Sequence, residues 1–183
     1  DTFQTGVRGV ALEHLIKLAN LTGADLWITL KHGVDDDYMT QAAKLIKQNL
    51  DPKLKVYAEL SNEVWNFAGS YPQSTYFVNK GVAAKLSSDK YEAGRMAFVQ
   101  RQARMWELFE KEFSGQTDRV VNVLASQAAN TWLGEKQSVT LVWIFWLEKK
   151  RQAFKPSGVR GNLIVTLGAI FASFIPSTTI VSA

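Results

Sequence analysis

The alternation of helix-type and strand-type segments between residues 10 and 124 is the feature that most constrains the fold. Apolar residues recur at helical spacing in three segments, and short apolar runs rich in β-branched residues separate them. We predict helices at 10–22, 35–50 and 91–113, and strands at 24–30, 55–60 and 119–124. This order predicts parallel strands joined by right-handed crossovers, which an open doubly wound sheet and a closed (β/α)8 barrel both satisfy.

The segments between these elements carry turn and capping signals. Three consecutive acids, Asp35, Asp36 and Asp37, precede the second helix and are suited to cap it, because carboxylates accept hydrogen bonds from the free N–H groups of a first turn. Residues 65–90 are rich in Asn, Gly, Ser and Pro. We predict one long loop there, and loops of that length in compact domains are usually functional.

Composition excludes several kinds of chemistry. The chain is 46% hydrophobic and 21% charged, which predicts a folded globular protein. It has no cysteine, so disulfides, thiolate metal sites and cysteine nucleophiles are excluded, and two histidines are too few for a three-histidine zinc site. The net charge of +4 lies wholly in residues 134–183. A basic face on the body is therefore not indicated, and we expect no nucleic acid, metal or cofactor.

The last fifty or so residues differ from the body in character. Residues 138–147 are apolar and uncharged, 148–160 are strongly basic, and 161–183 contain no charged residue. A basic stretch before a long apolar run fits a membrane anchor. Two buried strands, or a tail foreign to the body, are the alternatives. We predict a division into a body at 1–133 and a divergent hydrophobic and basic tail at 134–183, within a fragment of a longer protein.

The ends of the predicted strands are where a parallel α/β protein binds ligands. The first strand is followed by His32, the second by the run LSNEVWN at 60–66, and the third by Gln127 and Asn130. The run at 60–66 is the densest, with a carboxylic acid, two amides and an indole. Amides hydrogen-bond hydroxyl groups and an aromatic face stacks on a pyranose, so this mixture indicates a sugar ligand.

The same run carries a family resemblance. A strand ending in Asn-Glu resembles the acid/base strand of the clan A glycoside hydrolases, which are (β/α)8 barrels. Residues 27–66, with SNEVWN at their end, and residues 119–130 resemble a group of bacterial proteins of carbohydrate-active type; the likeness covers about 9–132. The resemblance implies an α/β fold, a partial (β/α)8 (TIM) barrel from about the family's second helix to its fifth strand, with a divergent apolar C-terminal tail. It also implies a secreted or cell-surface location.

The resemblance assigns roles to three residues. Glu63 matches the family's general acid/base, and Asn62 matches the amide that contacts the sugar 2-hydroxyl. His32 matches a polar residue at the end of the family's third strand. Trp65 as a sugar platform is our own inference, and we add the amide of Asn66 to the predicted substrate-binding residues, together with that of Gln127.

A retaining glycosidase needs a second carboxylate about 5 to 5.5 Å from the first. Glu59 cannot supply it, because four strand residues separate it from Glu63 by about 13 Å. We expect Glu59 to point into the barrel and pair with a buried polar group. Two later acids remain, Glu135 and Glu148, of which Glu148 follows the apolar run 139–147 as if at a strand end.

These observations predict a glycoside hydrolase-like domain that acts on polysaccharide or oligosaccharide by a retaining two-carboxylate mechanism. A fragment without its nucleophile would be inactive. The alternatives are a non-catalytic carbohydrate-binding protein, and a membrane-tethered fragment with no activity, in which the tail contacts the membrane.

Overall fold

The computed structural model describes residues 9–66, 71–127, 130–151 and 162–165 of the chain. Helices and strands alternate through most of this range, as predicted, so the fold is α/β. In chain order the elements are α1 (Leu12–Thr22), β1 (Leu26–Leu30), α2 (Asp36–Asn49), β2 (Val56–Leu60), α3 (Pro72–Ala83), α4 (Lys90–Glu112), β3 (Val120–Leu124), α5 (Thr131–Arg151) and β4 (Asn162–Val165).

The strands form one parallel sheet in the order β1-β2-β3-β4, so each strand pairs with the next along the chain. The register aligns Leu26 with Val56, and Val56 with Val120. The last described strand, β4, pairs with β3 in the same direction. The predicted parallel arrangement is thus confirmed, and the four described strands make an open sheet.

The helices pack against one face of this sheet, and the core lies between them. Residues of that face alternate along the strands and are buried, as the pattern of β1 shows. The core members from the strands are Leu26, Ile28, Leu30, Val56, Ala58, Leu60, Val120 and Leu124. The long helix α4 contacts both β2 and β3, and also α2, α3 and α5. It therefore fixes the other helices relative to the strand ends.

Local signals set the helix ends where the sequence placed them. Gly23 ends α1 with φ +66°, a left-handed conformation that costs glycine little. The Asp35 carboxylate accepts a hydrogen bond from Tyr38 N at 2.8 Å, which confirms the predicted cap of α2. Its neighbour Asp36 contacts the guanidinium groups of Arg101 and Arg104, and these two hydrogen bonds lower the pKa of the Asp36 carboxyl.

The prediction of one long loop at 65–90 is wrong, because α3 occupies its middle. Pro72 lies in the first turn of α3, where its missing N–H costs nothing. The glycines that suggested a loop serve helix packing instead. A Cβ on Gly81 would lie 2.0 Å from the carbonyl oxygen of Ala93, and one on Gly94 would lie 2.9 Å from Val78 Cα, so α3 and α4 touch backbone to backbone.

The apolar run at 139–147 lies in a helix, which contradicts the strand interpretation. It belongs to α5, so Glu135 and Glu148 both lie within a helix and neither follows a strand. The same helix passes through the predicted domain boundary at residues 133 and 134, and it packs on α4. Leu133 and Leu141 of α5 are buried.

Much of the predicted tail lies outside the described residues. This applies to residues 152–160 and to the charge-free run 161–183, except for the four residues of β4. Among the residues that the structure describes, no helix combines the length and the hydropathy that crossing a bilayer requires.

Candidate functional site

The turn after β2 carries the predicted acid/base and has unusual backbone geometry. Ser61 N donates to Leu30 O at 2.6 Å, which joins the turn to the end of β1. Ser61 and Glu63 then adopt left-handed conformations, with φ 58° and 49°. Residues with a side chain rarely do so, because the Cβ approaches the backbone, and such strain persists only where the surroundings enforce it.

Two side chains of α3 hold this turn in place. The buried Ser74 hydroxyl of α3 contacts the carbonyl oxygens of Val64 at 2.9 Å and Asn66 at 2.8 Å. Gln73 Nε2 of the same helix donates to Asn62 O at 2.7 Å. These contacts hold the turn against α3.

The last residue of β2 is held from α4. The side chain of Gln102 is fully buried, and its Oε1 accepts from Leu60 N at 2.7 Å. A buried amide in an apolar core is costly unless bonded, so this contact fixes where β2 ends and the turn begins.

Glu63 is half-buried in this turn. Its Oε2 accepts from Asn66 Nδ2 at 3.3 Å, and its carbonyl oxygen accepts from Asn66 N at 2.9 Å. The structure thus brings two predicted site residues, Glu63 and Asn66, into contact. Asn62 between the two left-handed residues is exposed.

The predicted site residue His32 follows β1. Its ring lies 5.0 Å from that of Tyr76 of α3, tilted by 56°. Partial burial lowers the pKa of His32, and the neighbouring charge of Lys31 lowers it further. The imidazole is therefore neutral over most of the physiological range and offers one donor and one acceptor.

A cleft of about 530 Å³ opens beside the same strand ends. Its aromatic and amide lining comes from Trp65 after β2, Gln127 after β3, Tyr91 of α4, and Asn130 and Trp132 at the start of α5. We call it the β2–β3 cleft. It brings together Trp65 and Gln127, two residues predicted to bind substrate. The other predicted site residues, Asn62, Glu63, His32 and Asn66, are not among the described residues that line it.

The charged lining of the β2–β3 cleft consists of Asp89, Glu92, Arg95 and Lys136. Asp89 caps α4 by accepting from Glu92 N at 2.7 Å. Glu92 Oε2 accepts from Ser87 Oγ at 2.8 Å, and Oε1 accepts from Arg95 Nη2 at 3.5 Å. Both acids therefore already serve the start of α4.

Two cations lie over one indole in this cleft. The guanidinium carbon of Arg95 is 5.2 Å, and Lys136 Nζ 5.9 Å, from the centre of the Trp132 ring. Arg95 is 7% exposed, whereas Trp132 is 55% exposed.

Glu59 lies on the sheet face opposite the core. Its Oε2 accepts from Trp27 Nε1 at 2.9 Å and from Thr29 Oγ1 at 3.2 Å, so Glu59 pairs with polar groups, but both partner residues are exposed and not buried as expected. Burial raises the pKa of the Glu59 carboxyl, and these two hydrogen bonds offset part of the rise.

Sequence reasoning missed Arg95, Trp132 and Lys136 as cleft residues. A signal was present for the first of them: Arg95 lies among buried positions of α4, next to Gly94 and one turn before Phe98. An arginine on the buried face of a helix calls for a partner. Trp132 and Lys136 share a face of α5 by their spacing of four, but the apolar run that follows hid this pattern.

Comparisons of the chain with protein-family models, with curated proteins and with solved structures find no match. The resemblance of residues 9–132 to clan A glycoside hydrolases therefore stays a prediction. In the described part of the chain, no group of three or more acidic or histidine side chains is placed to hold a metal ion.

Proposed function

We propose that this chain is a carbohydrate-binding domain of glycoside hydrolase-like type, which binds polysaccharide or oligosaccharide in the β2–β3 cleft. The observation that carries the proposal is the cleft's lining at the carboxyl ends of two parallel strands. Three aromatic side chains, Trp65, Tyr91 and Trp132, stand with the amides of Gln127 and Asn130 around about 530 Å³. Aromatic faces with a few placed polar groups are what binding a sugar ring requires.

The sheet supports the proposal that this is part of a (β/α)8 barrel. With the right-handed crossovers that parallel strands adopt, a sequential strand order puts every connecting helix on one side. The main apolar cluster lies on that side. The opposite face carries the exposed Trp27 at the β1 edge and the buried Val121 and Val123 of β3, a gradient that fits a barrel interior open at one side. A secreted or cell-surface location belongs to the same proposal.

Hydrolysis is the second candidate function, and the strained turn favours it. Glu63 lies three residues after β2, two residues before Trp65, in a left-handed conformation that helices α3 and α4 hold in place. Strained backbone conformations of this kind are common at functional sites. The retaining mechanism needs a partner carboxylate, however, and the described acids of the cleft, Asp89 and Glu92, are committed to α4. Binding is therefore the leading proposal.

A binding experiment tests the leading proposal directly. Trp65 and Trp132 line the cleft, so their intrinsic fluorescence should change when oligosaccharides from a glycan panel bind. Trp132→Ala should weaken binding by roughly tenfold or more, as central aromatic contacts do. The matched control is Tyr38→Ala, which removes an aromatic side chain of similar exposure on α2, and it should leave binding unchanged. Equal loss in both variants, or no binding across the panel, contradicts the proposal.

Hydrolysis is tested separately with Glu63→Gln, which keeps an acceptor for Asn66 but cannot donate a proton as an acid. If Glu63 is the acid/base, product formation from the same panel should disappear while binding persists. Product formation at the parent rate in Glu63→Gln removes this residue from the mechanism.

A further inference from the structure

We propose that the β2–β3 cleft selects acidic sugars, with Arg95 and Lys136 binding the carboxylate of a uronate ring. This inference rests on the proposed carbohydrate-binding function and names the class of glycan that the cleft takes. It comes from a juxtaposition that a neutral sugar does not require: two cations at one indole beside aromatic and amide groups.

The guanidinium group of Arg95 is buried and has few hydrogen-bond partners. The side chain is 7% exposed, and its salt bridge to Glu92 is 3.5 Å long, at the limit of a hydrogen bond. Within the part of the chain that the structure describes, Arg95 Nε is buried and has no hydrogen-bond partner. A buried arginine normally satisfies its five donors, so the guanidinium of Arg95, which lines the cleft, has hydrogen-bonding capacity left for a ligand.

Lys136 is the second cation of the cleft. It is exposed on α5, and its Nζ lies 5.9 Å from the centre of the Trp132 ring, over which the Arg95 guanidinium carbon lies at 5.2 Å. Like charges that face one ring repel each other, and the ring quadrupole offsets only part of that repulsion. Both groups line the cleft, so an anion bound there is attracted by both charges.

The two acids of the cleft are bonded elsewhere and do not fully neutralise Arg95 and Lys136. Asp89 accepts from the backbone at the start of α4, and Glu92 divides its two oxygens between Ser87 and the long contact to Arg95. A planar carboxylate fits the guanidinium fork with two parallel hydrogen bonds. A uronate ring carries that carboxylate next to apolar ring faces, so the ring can stack on an indole while its acid reaches Arg95.

The experiment compares two ligands that differ in one group. A β-linked glucuronate oligomer has the ring and linkage of a cello-oligosaccharide, with a carboxylate in place of each primary alcohol. We expect the full chain to bind the glucuronate oligomer more tightly than the neutral oligomer of equal length, with an affinity that falls as salt rises. Arg95→Gln should weaken glucuronate binding by roughly ten- to a hundredfold and neutral binding by a clearly smaller factor, so that the preference for the acidic oligomer is lost.

Lys136→Gln guards against a folding defect in Arg95→Gln, because position 136 is exposed. It should also reduce glucuronate binding, by a smaller factor. Its control is Lys111→Gln, an exposed lysine in the last turn of α4 whose loss changes the net charge equally; this variant should bind like the parent.

The outcomes separate this inference from the proposed function. Equal binding of the acidic and neutral oligomers overturns the inference and leaves carbohydrate binding in place. No binding of either oligomer, or of any member of the glycan panel, overturns both. Tighter binding of a sulfated oligomer than of the glucuronate oligomer overturns the assignment of a carboxylate.

Discussion

The close packing of α3 on α4 predicts that alanine at position 81 destabilises the protein, whereas helix propensity alone predicts that it stabilises the protein. Gly81 lies where α3 meets α4, and an added Cβ there would be 2.0 Å from Ala93 O, 2.2 Å from its carbonyl carbon and 2.7 Å from Gly94 N. All three neighbours are backbone atoms, so no rotamer change can make room. Gly81→Ala must push the two helices apart.

The magnitude follows from two opposing effects. Alanine is favoured over glycine in a helix interior by about 1 kcal/mol. Overpacking costs about 1–3 kcal/mol in well-packed sites, and a clash with backbone belongs at the upper end. We therefore expect Gly81→Ala to lower the free energy of unfolding by about 2 kcal/mol. With a urea dependence of about 2 kcal/mol per molar, the midpoint of unfolding measured by circular dichroism should fall by about 1 M.

Gly33→Ala is the matched control. Gly33 lies in the turn after β1, and a Cβ there would meet nothing within 4 Å. Its substitution should leave stability unchanged or raise it by up to about 1 kcal/mol, because alanine reduces the freedom of the unfolded chain. If Gly81→Ala stabilises the protein as much as Gly33→Ala does, the close packing of α3 on α4 is refuted.

Three further predictions concern charge and strain. Burial raises the folded-state pKa of Glu59 above its ordinary value of 4.5, so its contribution to stability is full below that value and is lost as pH rises through the raised pKa. Glu59→Gln should therefore gain stability relative to the parent as the pH rises from below 4.5 through the raised pKa of Glu59, and a difference in urea titrations that does not change with pH contradicts this. Asp35→Ala should lower the free energy of unfolding by about 1 kcal/mol, because the cap of α2 is lost. Asp37→Ala is the control: its carboxylate makes a 3.4 Å contact to a side-chain amide, so its loss should cost less than about half as much. Equal costs contradict the capping role of Asp35. Glu63→Gly should leave the free energy of unfolding unchanged or raise it by up to about 1 kcal/mol, because glycine relieves the left-handed strain. The control Glu13→Gly in α1 should lower it by about 1 kcal/mol. A loss of stability in both variants means that position 63 is not strained.

The order of elements could be predicted from the sequence because it depends on local periodicity. Strands β1, β2 and β3 are short apolar runs, and α2 and α4 carry apolar stripes between clear caps, so propensity and burial favour the same structure. Helix α3 could not be predicted in this way. Its Gly81 is an unfavourable helix residue in isolation and is explained only by Gly94 on another helix, which is a tertiary contact.

The candidate site was predictable in part for the same reason. Trp65 and Gln127 follow strands, and a parallel sheet brings the ends of its strands to one edge. Arg95 and Trp132 reach the cleft from two different helices and are 37 residues apart in the sequence, and no local pattern specifies how α5 crosses α4. The wrong strand interpretation of residues 139–147 hid this crossing, since an apolar run of that length has no period that separates a buried strand from a buried helix.

The turn after β2 links the fold to the proposed binding function. Two non-glycine residues in left-handed conformations, Ser61 and Glu63, cost stability that a Gly or Asn at either position would recover. The turn persists because Gln102 fixes the strand end and Ser74 holds the two carbonyl oxygens beyond it. These contacts position Trp65, because its backbone lies between the two carbonyl groups that Ser74 contacts. The Trp65 side chain lines the cleft. The turn therefore sets the position of a cleft wall, and glycine at position 63, which adopts the same conformation without strain, should raise stability and leave that wall in place.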